Sequence, residues 1–223
     1  MKTGSKLYAP RSCKKQMSRK RIVVLASGEG TNFQALIDAV AHGRIDADIA
    51  ALISDRKGSG ALRRARENGI QAISFPRTED NRDTYFKELL RLIKSQEPDL
   101  IVTAGFMKIF PTWLVEEFPL RIINTHPSLL PCFGGPGFYG HKVHERVIES
   151  GARISGCSAH FVIPDVDAGP IILQKAVEVL DDDTPDSLSE RIKEVEHEAL
   201  VEAVGIVLQG KFRVSGKRVI RAQ

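Results

Sequence analysis

The sequence predicts an α/β protein, with a mostly parallel central sheet, helices on both faces and an antiparallel hairpin in its C-terminal half. Three observations predict it. Between positions 21 and 124, short apolar runs alternate with segments of helical periodicity, the pattern of strands joined by helical crossovers. The runs themselves, such as residues 22–26 (IVVLA), are continuously apolar, as strands buried on both faces are. Later, residues 157–163 and 171–179 both read as strands. The segment 165–170 between them is too short for a crossover helix, so this pair is expected to be a hairpin.

Each element follows from its local pattern. Residues 22–26 form the first strand and 32–41 the first helix; 49–53 is a second strand, followed by a charged helix over 61–68. A short strand at 72–75 precedes a helix over 82–95, where Tyr85, Phe86, Leu89, Leu90, Leu92 and Ile93 recur at helical spacing. Residues 100–104 read as another buried strand, 112–118 as a helix, and 121–124 as a strand that ends in a Gly/Pro loop. Residues 142–149 look helical and the hairpin follows. The last helix spans 185–208, with Pro185 near its first position, Asp183 or Thr184 as its cap, and Asp186 and Glu190 in its first turns. Residues 211–219 suit a small strand or a hairpin around Gly216.

Length and composition bound the function. A chain of 223 residues suits one domain, and 42% apolar with 27% charged residues is ordinary for a globular protein. No apolar run approaches the roughly 20 residues of a membrane span, so no membrane role is expected. Cys13, Cys132 and Cys157 are odd in number and form no CxxC pair, which points to thiols in a reducing, cytoplasmic setting. The net charge of +4 is uneven: residues 1–20 hold seven bases and no acid, which leaves the body at −3. That body carries no basic stripe interleaved with aromatics, so no nucleic-acid partner is expected. The basic segment lacks the apolar core of a secretory signal and reads as a disordered leader, with a transit peptide or RNA-binding arm as the alternative. Met17 is a candidate start, and residues 21–223 then form the single domain.

The chemistry concentrates at Asn124-Thr125-His126-Pro127-Ser128-Leu129-Leu130-Pro131. Residues i and i+2 of a strand share one face, so Asn124 and His126 project together from a carboxyl strand end, where open α/β sheets bind ligands. A neutral amide donor beside a base that titrates near neutrality suits acyl transfer. A second feature is Ser27-Gly28-Glu29-Gly30-Thr31-Asn32, which joins the first strand to the first helix. The dinucleotide fingerprint wants a small residue at 33, where Phe33 stands, and a ribose-binding acid ending the second strand, whereas Asp46 and Asp48 precede it. A single phosphate on the backbone of Gly30 and Thr31, helped by Asn32, fits better. The same residues also make an ordinary tight turn and cap.

Other segments have two readings. Asp165-Val166-Asp167-Ala168-Gly169-Pro170, on the hairpin turn, brings a carboxylate that can favour protonated His126 or hold one of its tautomers; it is equally the composition of a hydrated hairpin tip. The run Ala104-Gly105-Phe106-Met107-Lys108-Ile109-Phe110 follows a strand end and suits either a flat apolar slot or plain loop packing. His141 and His144 lie one helical turn apart, but no third ligand follows at suitable spacing, so no metal is expected.

Together, the segments 27–32, 104–110, 124–131 and 158–170 resemble the folate-dependent phosphoribosylglycinamide (GAR) formyltransferases of purine biosynthesis, over residues 21–208 and in family order. The resemblance implies a Rossmann-like formyltransferase fold, with a phosphate-binding half over about 21–120 and a catalytic and folate half over about 121–210. It implies 10-formyltetrahydrofolate as co-substrate and GAR as acceptor. By position it assigns catalysis to Asn124, His126 and Asp167. The GAR site falls on Gly30, Thr31, Asn32 and Glu196, and the folate site on Arg82, Met107, Lys108, Ile109, Phe110 and Asn124. Glu196 and Arg82, read without it, are ordinary exposed helix charges.

This sequence departs from the family pattern in two places. The loop over 132–141 (CFGGPGFYGH) is longer than the usual Pro-Gly-Leu-His form, and Lys193 stands where a neutral polar residue is common. The expected reaction is direct transfer without a Ser or Cys nucleophile, in a monomer or homodimer. The alternatives are a 10-formyltetrahydrofolate hydrolase, which carries a long regulatory domain ahead of the core, a methionyl-tRNA formyltransferase, which needs a C-terminal tRNA-binding domain, and a non-catalytic folate or nucleotide module.

Overall fold

The structure, a computed structural model, describes residues 19–77 and 81–222. The basic leader up to residue 18, with Met17, lies outside the described residues. The elements in chain order are β1 (Lys20–Leu25), α1 (Thr31–Ala41), β2 (Ala47–Ser54), α2 (Gly60–Glu67), β3 (Ala72–Ser74), α3 (Arg82–Ser95), β4 (Leu100–Thr103) and α4 (Thr112–Glu116). They continue with β5 (Ile122–His126), α5 (His141–Glu149), β6 (Ile154–Phe161), β7 (Ile171–Glu178), α6 (Pro185–Gln209), β8 (Phe212–Ser215) and β9 (Arg218–Arg221).

One nine-stranded sheet runs β3-β2-β1-β4-β5-β6-β7-β9-β8. Strands β1 to β5 pair in parallel, and β6 is antiparallel to both β5 and β7, which gives the expected hairpin. The β8–β9 hairpin extends the far edge. Strand order reverses direction between β1 and β4, and this switch point is where an open α/β sheet forms its crevice.

Alternation along β1 shows why both faces need helices. Ile22, Val24 and Ala26 pack with Phe33 and Leu36 of α1, Leu62 of α2 and Leu200 and Val204 of α6. Val23 and Leu25 face the other way, against Tyr85, Phe86 and Leu89 of α3 and Leu114 of α4. A smaller core of Val147, Cys157, Leu188 and Ile192 ties α5 and β6 to α6. The final helix starts as its sequence directs: Pro185 takes the first position, and Thr184 caps it in a reciprocal pair with Ser187.

Strand β5 differs from expectation in one respect. It runs on to His126 instead of ending at Asn124, because Thr125 and His126 pair with Ala159 and Ser158 of β6. Such a ladder joins residues more than 30 positions apart and leaves no local signature.

Candidate active site

Asn124 and His126 share one face of β5, and both line a cavity of about 710 Å³ outside the strand ends. Its walls also carry Asp167 from the β6–β7 turn, Glu196 from α6, His160 from β6 and the strip Met107 to Phe110 after β4. The volume falls within the roughly 300–1,000 Å³ usual for small-molecule sites. Eight of the twelve residues singled out for the site therefore line this cavity. Gly30, Thr31, Asn32 and Arg82 do not line this cavity.

Buried hydrogen bonds dictate the orientation of Asn124. His160 is 2% exposed, and burial pushes its pKa below the usual histidine value, against the opposing pull of the Phe161 carbonyl and Asp167. The neutral ring meets the Phe161 carbonyl through Nδ1 at 3.0 Å, so the proton sits on Nδ1 and Nε2 must accept. The Asn124 amide nitrogen lies 3.3 Å from that Nε2 and donates to it. Thr103, at the end of β4, completes the chain by donating its hydroxyl to Asn124 Oδ1 at 2.7 Å. The second amide N–H of Asn124 then remains for a ligand. Neither His160 nor Thr103 stood out in the sequence. The register that places His160 opposite Asn124 is a property of the sheet.

His126 is 4% exposed. Its Nε2 lies 2.7 Å from the Phe133 carbonyl, and its Nδ1 faces Asp167 Oδ2 at 3.5 Å. Asp167 reaches inward from a left-handed backbone (φ +53°), a conformation that Asp tolerates better than most residues. Its Oδ2 accepts the Gly135 N–H at 3.0 Å, and its Oδ1 stands 3.7 Å from His160. The turn closes tightly behind it: a Cβ on Gly169 would lie 1.8 Å from the Phe161 oxygen. Glu196 is held by Thr125, whose hydroxyl donates to its carboxylate at 2.7 Å.

The apolar strip is anchored from three sides. Ser27 Oγ accepts the Met107 N–H at 3.0 Å, Lys108 pairs with the buried Asp55 at 3.3 Å, and Arg82 donates to the Ile109 carbonyl at 2.8 Å. Arg82 lies behind the strip, lining a separate cavity of about 390 Å³ with Arg77, Tyr85 and Phe86.

Gly30 opens α1 with φ +74°, and no side chain caps the helix. The first N–H groups of a helix have no intrahelical partner, which is the chemistry an anion site needs. The buried Asn32 Oδ1 has no partner among the described residues. A Cβ on Gly30 would meet the Ala61 backbone at 2.8 Å, so glycine is required where α2 crosses the loop. Arg64 of α2 donates to the Glu29 carbonyl and to Gln34, bracing the loop from outside.

Lys193, His141, His144 and Cys157 have plain surroundings. Lys193 pairs with Glu190 on its own helix, and His141 bridges Glu145 and Asp186. His144 is buried, and burial lowers its pKa to about 4. Burial pushes the Cys157 thiol up to about 12, which removes it as a nucleophile.

An uncapped helix start beside an Asn–His–carboxylate cavity at the switch point defines a class, and the chain belongs to the Formyl transferase family, whose model matches residues 20–204. Within that family it is 40% identical over 197 residues to the chloroplastic phosphoribosylglycinamide formyltransferase of Arabidopsis thaliana, covering 87% of this chain and 68% of that one. The Escherichia coli (strain K12) phosphoribosylglycinamide formyltransferase is 38% identical over 177 residues, 79% of this chain and 81% of that one. Among solved structures, glycinamide ribonucleotide transformylase 1 from Symbiobacterium toebii superposes with a TM-score of 0.88 at 37% identity, over 100% of both chains.

Proposed function

We propose that this chain transfers the formyl group of 10-formyltetrahydrofolate to the amine of 5'-phosphoribosylglycinamide, in purine biosynthesis. One observation carries the reading: a single cavity is lined both by Asn124, His126, Asp167 and Glu196 and by the apolar Met107 to Phe110 strip. The names of the relatives from Arabidopsis and Escherichia coli support it.

In this proposal Gly30, Thr31 and Asn32 hold the substrate phosphate at the start of α1, and Glu196 accepts hydrogen bonds from the ribose hydroxyls. Met107, Lys108, Ile109 and Phe110 take the flat folate ring, with Arg82 supporting that strip from behind. The substrate amine attacks the formyl carbon and the carbonyl electrons move onto oxygen. The free N–H of Asn124, and His126 when protonated, donate to that oxygen. The carbon–N10 bond then breaks as N10 gains a proton and the former amine loses one. His126, paired with Asp167, relays that proton. None of these steps needs a metal or a covalent enzyme intermediate.

The division into a basic leader and one domain belongs to the same proposal, with the boundary moved from residue 20 to before Arg19, which pairs with Asp46 and Asp48, and Lys20, which opens β1. The phosphate-binding half lies before about residue 120 and the catalytic half after it. No helix among the described residues is long and apolar enough to cross a membrane. A cytoplasmic monomer or homodimer is the state we expect, checked by cell fractionation and by sedimentation.

The deciding assay supplies 10-formyltetrahydrofolate with GAR as acceptor, beside a control with water alone. Formyl-GAR formed only when GAR is present is the expected result; equal consumption of folate in both arms would identify a hydrolase instead. The substitution His126→Ala is expected to preserve the circular dichroism spectrum and lower kcat by about 10²–10³, in line with loss of one stabilising donor. Near-normal turnover would refute the assignment.

A further inference from the structure

The loop that departs from the family pattern touches both members of the catalytic pair through its backbone alone. The Phe133 carbonyl receives His126 Nε2 at 2.7 Å, and two residues on the Gly135 N–H donates to Asp167 Oδ2 at 3.0 Å. Between them, Gly134 lies flat against the carboxylate residue: a Cβ there would come within 3.3 Å of Asp167 Cβ and 2.4 Å of Leu130 Cδ2. Phe133 adopts φ +54°, a conformation that side-chain-bearing residues seldom take, and Gly135 adopts φ +94°.

The loop is itself held in place. Ser128 Oγ donates to the Cys132 carbonyl at 2.7 Å, the Cys132 N–H bonds the Leu129 carbonyl at 3.1 Å, and the Phe133 ring packs on the core shared by α5, β6 and α6. It also meets Phe138 edge-on, with ring centroids 6.5 Å apart.

A carbonyl oxygen only accepts, so His126 Nε2 must carry a hydrogen in either charge state of the ring. The neutral ring therefore has its lone pair on Nδ1, the nitrogen that faces Asp167 Oδ2 at 3.5 Å. Both the tautomer and the ring plane are dictated by a backbone group contributed by this loop. This is the job done in other catalytic sites by a second side chain.

We infer that the Phe133-Gly134-Gly135 backbone is the positioning element of the His126–Asp167 pair, holding His126 as the Nε2–H tautomer so that Nδ1 is the nitrogen that takes and returns the proton. The inference rests on the formyl-transfer reading for the identity of the reaction. The tautomer itself is measurable without turnover. Phe133 and Gly135 act through His126 and Asp167 and touch no substrate.

The test uses full-length protein labelled with 15N in its histidine rings. The His126 signals are assigned by their loss in His126→Gln and recorded at a pH high enough to neutralise the ring. The expected spectrum has a pyrrole-type shift on Nε2 and a pyridine-type shift on Nδ1; the opposite pattern, or an even mixture, overturns the proposal. Gly134→Ala, whose Cβ would crowd Leu130 Cδ2 at 2.4 Å and Asp167 Cβ at 3.3 Å and so disturb the backbone between Phe133 and Gly135, is expected to mix the two tautomers. It should lower kcat at least tenfold while both KM values stay within twofold. Mixed tautomers with an unchanged kcat would also overturn it. Should Gly134→Ala fail to fold, the wild-type spectrum decides alone. An Nε2–H tautomer in a protein that does not formylate GAR would leave the positioning role standing and refute the proposed reaction.

Discussion

Asn124 illustrates how a residue acquires a role from neighbours far away in the chain. Its amide is pinned by Thr103 from β4 and His160 from β6, so one N–H is left to aim at a ligand. Asn124→Ala is expected to lower kcat by about 10²–10³ and, because it strands the buried Thr103 hydroxyl and His160 Nε2, to cost about 1–3 kcal/mol in stability, read by steady-state kinetics and urea melts. Thr103→Val keeps the shape and removes only the hydroxyl that sets the amide orientation; it should cost about 1 kcal/mol in stability. His144 supplies a prediction about pH. It is 3% exposed, and its pKa falls from 6.5 to about 4 through burial first, then through the charges of His141, Lys193 and His126. The unfolded chain binds a proton between those pH values and the folded chain does not, so stability rises with pH across that window and levels off above it. The contribution lost by pH 4 is at most about 3 kcal/mol. His144→Phe should flatten that limb in urea melts made between pH 4.5 and 7; an unchanged slope would contradict the assignment.

At the scale of elements, the start of α1 is the feature with most at stake. Gly30 meets two demands at once, a left-handed backbone and a close crossing by α2. Gly30→Ala violates both. The left-handed conformation alone costs about 1–2 kcal/mol, and relieving the contact with Ala61 must move the loop. A loss of about 2 kcal/mol or more in chemical denaturation is expected. With it, KM for GAR should rise at least tenfold and KM for the folate should stay within twofold. A change confined to the folate KM would show that this loop does not hold the phosphate. The strip after β4 is the complementary element, since its anchors come from just past β1, just past β2 and the start of α3, and its exposed side chains, Met107 and Ile109, remain available to a ring.

Across the whole molecule, the site straddles the switch in strand direction. The proposed phosphate loop follows β1, while the proposed catalytic residues come from β5 and the β6–β7 turn. A ligand that spans both parts couples the two halves of the sheet. GAR with a non-reactive folate analogue, each at about 100 times its Kd, should stabilise the fold by about 2.7 kcal/mol per ligand. For a chain of this size each should raise Tm by roughly 5–10 °C, read by calorimetry. Glycinamide riboside without the phosphate should give a smaller shift than GAR.

Local pattern determined much of this protein. Alternating apolar runs and helical periods specified the parallel half, and the short 165–170 spacer specified the hairpin. The spacing of Asn124 and His126 placed both on one face, and the glycine-rich turn put Gly30, in a left-handed conformation, at the start of the first helix. Those features depend on residues near one another in the chain, so periodicity and turn chemistry reveal them. The tertiary structure decided the partners. It put His160 beside Asn124, Thr125 on Glu196, Arg82 behind Ile109, and a loop carbonyl on His126. Each of these bonds depends on sheet register or on the path of a loop, which are set by packing between elements. No local pattern encodes them, because the free energy that selects them is shared across the whole core.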